Sequence, residues 1–387
     1  MRKHWWLVAV LLVFLMALPV FANQAIKIYI NGQEVQTDVA PQVINGRTLV
    51  PLRAIAEYLG SQVDYDTKTN TVNISGKSGL DVVEAISAEW ATAGHASGGH
   101  PLSYAGIRSG CTPCHSGNML QRALTDNPFN PAFESVEGGK YAFDPHDAEM
   151  PTPIDCATCH SGTGAQIMET GVVPGKFNVF EPGTDWEVGN ANALCFTCHN
   201  GRRNVKAIYE SWVTEGATRQ RSYPHHAVGA LVTGKGGMEY PDATYRHTVA
   251  HENLGCVGCH MPNTNGYVSH KFSEVDIATC QKCHGAGMTD LHMGGGLQKD
   301  LEGKLAELEQ LLLSKVPGAV RIGTGNSDFP FVDKDNQLID INTLPVEVLV
   351  GAYNYVIVKQ ELDEFGKGVH NPSYARSLLD ESIQRLK

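Results

Sequence analysis

Hydrophobic and polar positions follow regular patterns mainly at the two ends of the chain. Near the N-terminus, Ile26, Ile28 and Ile30 alternate with other residues, and this period of two predicts a β-strand. Apolar residues recur every three or four positions elsewhere, which predicts helices over 51–59, 78–93, 300–316, 345–365 and 372–386. The pattern indicates a small α+β domain, then a loop-rich and helical region with little strand that ends in helices from about residue 300.

The middle of the chain lacks such periodicity. From about residue 95 to residue 292 it is rich in Gly and Pro, a composition that in most proteins suggests disorder. All ten cysteines and most histidines lie within this stretch. We therefore expect bound groups, rather than packed side chains, to supply its interior.

The first 22 residues have the pattern of an export signal. Arg2 and Lys3 precede an apolar run over 7–20, and small residues follow at the end of the segment. The run is shorter than the roughly 20 residues that usually span a bilayer. The sequence therefore predicts a signal peptide over 1–22 and an extracytoplasmic protein at the cell surface, in the cell wall or secreted. An uncleaved anchor is the alternative interpretation.

The cysteines repeat one motif five times. Each pair has two residues between its members, and a histidine follows each second cysteine directly. The cysteines are Cys111, Cys114, Cys156, Cys159, Cys195, Cys198, Cys256, Cys259, Cys280 and Cys283. The histidines are His115, His160, His199, His260 and His284. Two thiols at this spacing meet the two vinyl groups on one edge of a porphyrin, and the adjacent histidine binds its iron as the proximal ligand.

Three other interpretations of the cysteines fit less well. A disulfide scaffold does not require a histidine after every pair. Thioredoxin-like motifs occur once, in a βαβ context. Zinc sites need a second pair or two histidines at a defined separation, whereas the gaps between these motifs vary widely. The sequence thus predicts five c-type haems.

Ten histidines remain outside the motifs and the signal segment, more than the five distal ligands that five irons can use. Iron with histidine on both faces suits electron transfer, whereas an open face would indicate catalysis. His251 and His270 lie close in sequence to motif residues, and His370 lies at a break between two predicted helices. The motif spacing alone leaves the choice of distal ligands open.

Charge narrows the range of partners. The formal net charge of −11 argues against a nucleic-acid-binding protein, because such proteins carry basic faces. The expected partners are redox proteins, such as other multihaem cytochromes, and extracellular electron acceptors.

Residues 85–387 resemble extracellular multihaem cytochromes of metal-reducing bacteria. The similar segments are 195–202, 223–227, 256–262, 269–272, 352–355 and 368–375. The order of the motifs, with Cys-His-Met-Pro late in the chain, is similar to that of ammonia-forming pentahaem nitrite reductases. This resemblance implies five distal ligands: His95, His225, His251, His270 and His370. Three histidines are rivals for these positions: His146, His226 and His292.

Two departures from the nitrite reductases favour a carrier over an enzyme. The catalytic haem of that family is typically carried by a motif that ends in lysine, whereas every motif here ends in histidine. The active-site histidine expected before the Cys-His-Met-Pro motif is replaced around 240–242. No catalytic residue is therefore assigned.

Residues 25–77 resemble the copper amine oxidase N-terminal, or stalk, domain. The resemblance is carried by segments 26–32, 45–54 and 63–74. This domain recurs in surface proteins of Gram-positive bacteria. The segment contains neither His nor Cys, so it has no visible copper ligands and is interpreted as an attachment module for cell-wall or surface components.

Three functions remain possible at this stage. The first is an exported carrier that passes electrons through five bis-His haems. The second is a haem reductase of nitrite or a related oxyanion, in which Arg108, Arg202 or Arg203 binds the anion. The third is a subunit of a homo-oligomer or filament, in which a surplus histidine caps a haem of the neighbouring subunit.

Overall fold

The structure is a computed structural model that describes twelve ranges of the chain. They are residues 26–30, 33–59, 61–76, 79–97, 111–125, 135–136, 140–141, 151–214, 218–264, 266–273, 275–291 and 296–387. The predicted signal peptide lies outside these ranges. Two compact units are present. One extends to Val83 and includes Thr264–Tyr267, and the other comprises Glu84–Asn263 and Val268–Lys387.

In the described ranges, residues 26–76 of the smaller unit form three antiparallel strand pairs and one helix. Its strands are Ile28–Ile30, Gln33–Val35, Gln42–Ile44, Arg47–Leu49, Ser61–Asp66 and Thr71–Gly76, and each pairs with its neighbour in the chain. The helix Leu52–Tyr58 begins after Pro51, whose fixed φ suits a helix start. Few side chains in this unit are buried, among them Val35, Ala56 and Val63. The predicted α+β character of this segment is confirmed.

The larger unit is mainly helical, as predicted. The helices of the described chain after residue 78 are Gly79–Thr92, Gly94–Ser97, Thr112–His115, Gly117–Thr125, Cys156–His160, Gly162–Thr170, Asn192–Cys198, Val205–Val213, Val228–Val232, Val249–His260, Ile277–His284, Gly296–Lys315, Val346–Gln360 and Pro372–Leu386. A 3₁₀ turn spans Ile341–Thr343, and a π-helical turn spans Glu361–Phe365. Short strand pairs in the larger unit occupy the ranges Ser135–Val136 with Lys140–Tyr141, Val172–Val173 with Trp186–Glu187, and Ala319–Ile322 with Phe331–Asp333, and a further short pair joins Asn263–Thr264 with Tyr267–Val268.

The last three helices form the main apolar core. In Gly296–Lys315 the buried residues are Leu301, Leu305, Leu308 and Leu312, at the spacing of one helix face. The helix Val346–Gln360 is buried along nearly its whole length. A Cβ added at Gly351 would lie 3.1 Å from Leu312 and 3.2 Å from Leu386, so glycine allows these helices to approach closely.

Truncating this core tests how much it contributes to stability. Leu312→Ala is expected to lower the free energy of unfolding by about 2–5 kcal/mol, because the buried site loses packing and retains a cavity. The matched control is Val320→Ala, since Val320 is 53% exposed and surface changes usually stay within about 0.5 kcal/mol. Denaturant unfolding of both variants measures the difference, and equal losses would contradict this assignment of the core.

The central part of the larger unit has a much smaller core. Eight buried apolar residues form its cluster: Leu120, Leu124, Ile167, Val173, Ala193, Leu194, Phe196 and Val232. Three motif cysteines, Cys159, Cys198 and Cys256, pack against this cluster. An apolar group attached to these thiols would therefore enlarge this small core.

Within the described ranges, no helix has both the length and the apolar character to cross a membrane.

Candidate metal centres

Short helical segments carry the five Cys-x-x-Cys-His motifs. These segments are Thr112–His115, Cys156–His160, Asn192–Cys198, Val249–His260 and Ile277–His284. Residues three apart on a helix lie on the same side, so each segment presents its two thiols together. All ten cysteines are described, and none of them forms a disulfide with another.

Side-chain caps start two of these segments close to the motif. Asp155 accepts a hydrogen bond from the backbone N–H of Thr158 at 2.9 Å, which forms a capping box directly before Cys156. Asp276 accepts a hydrogen bond from the backbone N–H of Ala278 at 2.9 Å and begins the last motif helix.

Glycine sets the position of the fourth motif. Gly255 has a φ of 61° and a ψ of −161°, which breaks the helix just before Cys256. A Cβ at this position would lie 2.3 Å from the Asn192 amide nitrogen. Asn192 also accepts a hydrogen bond from the Val257 backbone N–H at 2.8 Å. The break therefore holds the fourth motif against the start of the helix that carries the third.

Four motif histidines each face a second histidine at nearly the same distance. The ring centres are 6.2 Å apart for His95 and His199, and 6.1 Å apart for His160 with His270, His251 with His284, and His260 with His370. Each pair joins one proximal histidine to one histidine that the resemblance implies as a distal ligand. The ligand roles themselves remain predictions.

The constant distance suits a shared metal better than ring stacking. A metal–imidazole bond is about 2.0–2.1 Å long, so two imidazoles on opposite sides of one metal have ring centres about 6 Å apart. The angle between ring planes varies from 23° to 73° across the four pairs, while the separation stays at 6.1–6.2 Å. When each ring rotates about the axis through its bond to a shared metal, the angle between the ring planes changes but the distance between the ring centres does not.

The ring nitrogens also have an arrangement that fits metal ligands. The Nδ1 atom of His251 lies 2.6 Å from the carbonyl oxygen of Val369, and that of His270 lies 2.8 Å from the carbonyl oxygen of Val268. A ring whose Nδ1–H donates to a carbonyl keeps Nε2 as the free acceptor. This is the tautomer that can bind a metal.

Burial keeps several of these histidines neutral, which is the form that binds a metal. Burial lowers the pKa of His95 and, with the nearby His95 as a second cause, lowers the pKa of His199 to about 4. Burial also lowers the pKa of His260, with His370 as the next cause.

The environment of His115 differs from that of the other motif histidines. In the described ranges no second imidazole faces it at the spacing of the four pairs. Burial lowers the pKa of His115, and the neighbouring charges of His226 and Arg202 lower it further. His225 has a pKa lowered to about 3, first by burial and then by His226 and Arg202. The predicted ligand His225 and its rival His226 thus lie in the same electrostatic environment as His115, with ring centres 4.7 Å apart.

Two further groups complete this region. The Tyr223 hydroxyl lies 2.7 Å from Nδ1 of His225. The guanidinium of Arg203 lies 5.8 Å from the centre of the Tyr223 ring, and its Nε is buried without a hydrogen-bond partner in the described structure. A cationic, polar cluster therefore lies around His115. Arg108, the third predicted anion-binding arginine, lies outside the described residues.

Neighbouring motifs contact one another through their thiols. Cys114 and Cys198 share a hydrogen bond, which together with burial raises the pKa of Cys198. Cys195 and Cys256 share another, which with burial raises the pKa of Cys256. Burial and then the nearby Cys195 raise the pKa of Cys159 to about 12. The third motif thus lies next to the first, second and fourth.

The fourth motif also lies near the fifth. Burial raises the pKa of Cys259, and Cys280 and Cys283 are the neighbouring groups that raise it further. All five motifs thus form one connected set in the larger unit.

Several residues around the candidate ligands were not predicted from the sequence. Glu89 accepts hydrogen bonds from the His270 backbone N–H at 2.7 Å and from the Ser269 hydroxyl at 3.0 Å. Glu361 contacts the His370 ring. Both glutamates lie far from a motif in sequence, so no local pattern identifies them. Two rivals for the distal positions, His146 and His292, lie outside the described residues.

In the described part of the chain, no group of three or more His, Cys, Asp or Glu side chains is placed to hold a bare metal ion. A porphyrin supplies four of the nitrogen ligands of its iron, so a haem needs only one protein ligand on each face. The histidine pairs offer that number.

Comparison with known proteins supports the assignment of the N-terminal domain. Residues 21–83 match the family model of the copper amine oxidase N-terminal domain, which confirms the resemblance predicted for residues 25–77. No curated protein and no solved structure matches the chain. The resemblance of the larger region to multihaem cytochromes stays a prediction.

Proposed function

We propose that the protein is an exported electron carrier that binds five c-type haems. The observation that carries this proposal is the set of four histidine pairs with ring centres 6.1–6.2 Å apart. Each pair includes the histidine of one Cys-x-x-Cys-His motif, so two thiols that could attach a haem lie beside two imidazoles that could bind its iron. A haem iron supplies one-electron chemistry when it is bound.

In this proposal the side chains of the protein hold the haems in place and keep substrates away from the irons. The ten thiols would attach the haems, and each pair of imidazoles would hold one iron from two sides, which would leave no position for a substrate at those sites. Carbonyl contacts at Val268 and Val369 fix the tautomers of His270 and His251. Burial keeps His199 and its partner neutral. Ligation that stays the same in both oxidation states suits an electron carrier.

The contacts between motifs support transfer along the protein. The thiols of Cys114 and Cys198, and those of Cys195 and Cys256, are close enough to shift each other's pKa, so the proposed attachment points of neighbouring haems lie near one another. Electron transfer between cofactors requires this kind of proximity. The third motif, which has three neighbours, is a branch point in the proposed route.

The N-terminal domain supports a location at the cell surface. It matches a domain that we infer to be an attachment module, and the segment before it has the pattern of an export signal. Redox proteins such as other multihaem cytochromes, and extracellular acceptors, are the proposed partners. Surface components would bind through the N-terminal domain.

Spectroscopy of the oxidised protein tests the proposal. Electron paramagnetic resonance and near-infrared spectra are expected to show low-spin ferric iron with two histidine ligands in at least the four paired sites. Cyanide and nitrite should leave these signals unchanged, because no ligand position is open. High-spin iron in the majority of the sites would contradict the carrier function.

A second candidate function, reduction of nitrite or a related oxyanion, is favoured by one region. Arg202 and His226 lie near His115, and Arg203 lies near His225; the two guanidinium groups suit an anion, and Arg203 Nε lacks a partner in the described structure. Within the described ranges, His115 is also the motif histidine that faces no second imidazole at the spacing of the four pairs. In this function the first haem would have an open or displaceable distal side.

The two proposed functions predict a different spin state for one iron, that of the first motif. Reductase activity predicts one high-spin signal that shifts on addition of nitrite, together with formation of ammonium by the reduced protein. A carrier predicts five low-spin irons and no consumption of nitrite. The variant His225→Ala provides a further comparison, since it opens the distal side of the first haem if His225 is the ligand.

A further inference from the structure

The side chain of Glu361 makes an unusual buried contact. It lies in the π-helical turn Glu361–Phe365, and only 1% of it is exposed. Its two carboxylate oxygens lie 2.7 Å and 2.9 Å from Nδ1 of His370. The His370 backbone N–H donates to the same carboxylate at 3.3 Å. In the described structure this histidine is the only ion-pair partner of Glu361.

The local backbone is built around this contact. A Cβ added at Gly366 would lie 2.2 Å from His370 Nδ1 and 2.4 Å from the Glu361 carboxylate, so only glycine leaves the required space. The backbone N–H of Gly366 donates to the Glu361 carbonyl oxygen at 2.9 Å. A π-helical turn shifts the residues that follow it, and such turns occur frequently at functional sites. Here it brings a carboxylate and an imidazole together across nine residues.

Two other candidate distal ligands have a neutral hydrogen-bond acceptor, rather than a carboxylate, beside Nδ1 of the ring. His251 and His270 have backbone carbonyl oxygens near Nδ1, at 2.6 Å and 2.8 Å. A carboxylate carries a full negative charge, and hydrogen bonds to it are about twice as strong as those between neutral groups. His370 is therefore the most electron-rich of these three rings.

We propose that Glu361 is a positioning residue that lowers the reduction potential of the haem held between His260 and His370. This inference rests on the proposed function, since it requires a haem at that pair. A buried carboxylate without a Lys or Arg partner is costly unless a positive charge lies nearby. A ferric iron bound to the other nitrogen of the His370 imidazole would supply one more positive charge than a ferrous iron. Glu361 thus stabilises the ferric state. The haem between His260 and His370 is therefore expected to have a lower reduction potential than the haems held by His251 and His270.

Glu361→Gln tests the proposal in the full-length, haem-loaded protein. The variant keeps the shape of the side chain and removes its charge. By analogy with other partners of metal-bound histidines, we expect the preference for the ferric state to fall about tenfold, which is about 59 mV upward for a one-electron couple. Spectroelectrochemical titration should show one wave shifted, the lowest of the three, with the covalent haem count unchanged.

Asp363→Asn is the matched control, because Asp363 lies in the same turn but is 51% exposed and pairs with Lys359 at 2.8 Å. It should leave the waves in place. A second comparison uses His370→Met, which removes the N–H donor. In that background Glu361→Gln should shift no wave, whereas a merely structural role would produce the same shift in both backgrounds.

Each outcome decides the inference. The proposed role of Glu361 is wrong if Glu361→Gln leaves all five waves unchanged, shifts a wave by the same amount as Asp363→Asn, or loses the haem from that site. None of these results would contradict the carrier function. Absence of covalent haem from the unsubstituted protein would overturn the proposed function instead.

Discussion

Replacement of both Cys195 and Cys198 with serine is expected to remove one haem and to destabilise the centre of the larger unit. Cys198 packs against the small apolar cluster, and the third motif lies next to three others. Loss of the group attached there would leave a cavity in a region that has few apolar side chains of its own. We expect intact-mass spectrometry to show one haem fewer and the exported yield to fall several-fold.

The double replacement of Cys280 and Cys283 is the matched control. It also removes one proposed attachment site, but Cys283 is exposed, and in the described residues the fourth motif is the neighbour whose thiol the fifth affects. This variant should lose one haem and keep a near-normal yield. Retention of all five haems by either double variant would contradict the interpretation of the motifs, and equal yields would contradict the central position of the third.

His270→Met is expected to raise the potential of one haem without loss of any covalent attachment. His270 faces His160 with ring centres 6.1 Å apart, and its backbone is held by Glu89 at 2.7 Å. Methionine in place of an axial histidine raises haem potentials, and we expect a shift on the order of 100 mV within the roughly 0.8 V span that axial ligands set. Spectroelectrochemical titration measures the shift of a single wave.

His247→Met is the control for this prediction. His247 pairs with Glu252 at 2.9 Å and stacks on Tyr374 with ring centres 5.3 Å apart, so it is a surplus histidine with partners of its own. The variant should leave all potentials unchanged. If His270→Met also moves no wave, the assignment of His270 as a distal ligand is wrong.

Local spacing explains why some of this architecture could be predicted from the sequence. The Cys-x-x-Cys-His unit spans five residues, so the proposed attachment point and the proposed proximal ligand appear together in the sequence. Leu301, Leu305, Leu308 and Leu312 likewise mark a buried helix face by their spacing, and the structure has a helix at Gly296–Lys315. The small N-terminal domain was similarly identified from its segments.

The partners of the motif histidines are not local, which limits prediction. His95 lies 104 residues before His199, and no periodicity links them. The resemblance to multihaem cytochromes, rather than spacing, selected His95, His251, His270 and His370. The structure places each of them opposite the histidine of one Cys-x-x-Cys-His motif. It does not single out a partner for His115, where His225 and His226 lie side by side.

The contact between Glu361 and His370 shows a further limit. The apolar pattern predicts one helix over 345–365, whereas the structure ends the α-helix at Gln360 and continues with a π-helical turn. Such a change of pitch depends on packing around Gly366 and His370 rather than on the sequence of the helix. A residue pattern read at a constant period therefore misses Glu361.

The intact mass of the exported protein tests the central claim most directly. The proposal requires five haems bound by thioethers, so the measured mass should equal that of the polypeptide plus five haem groups, and each motif peptide should carry one of them. A polypeptide mass without covalent haem, or with disulfides within the five cysteine pairs, would contradict the account.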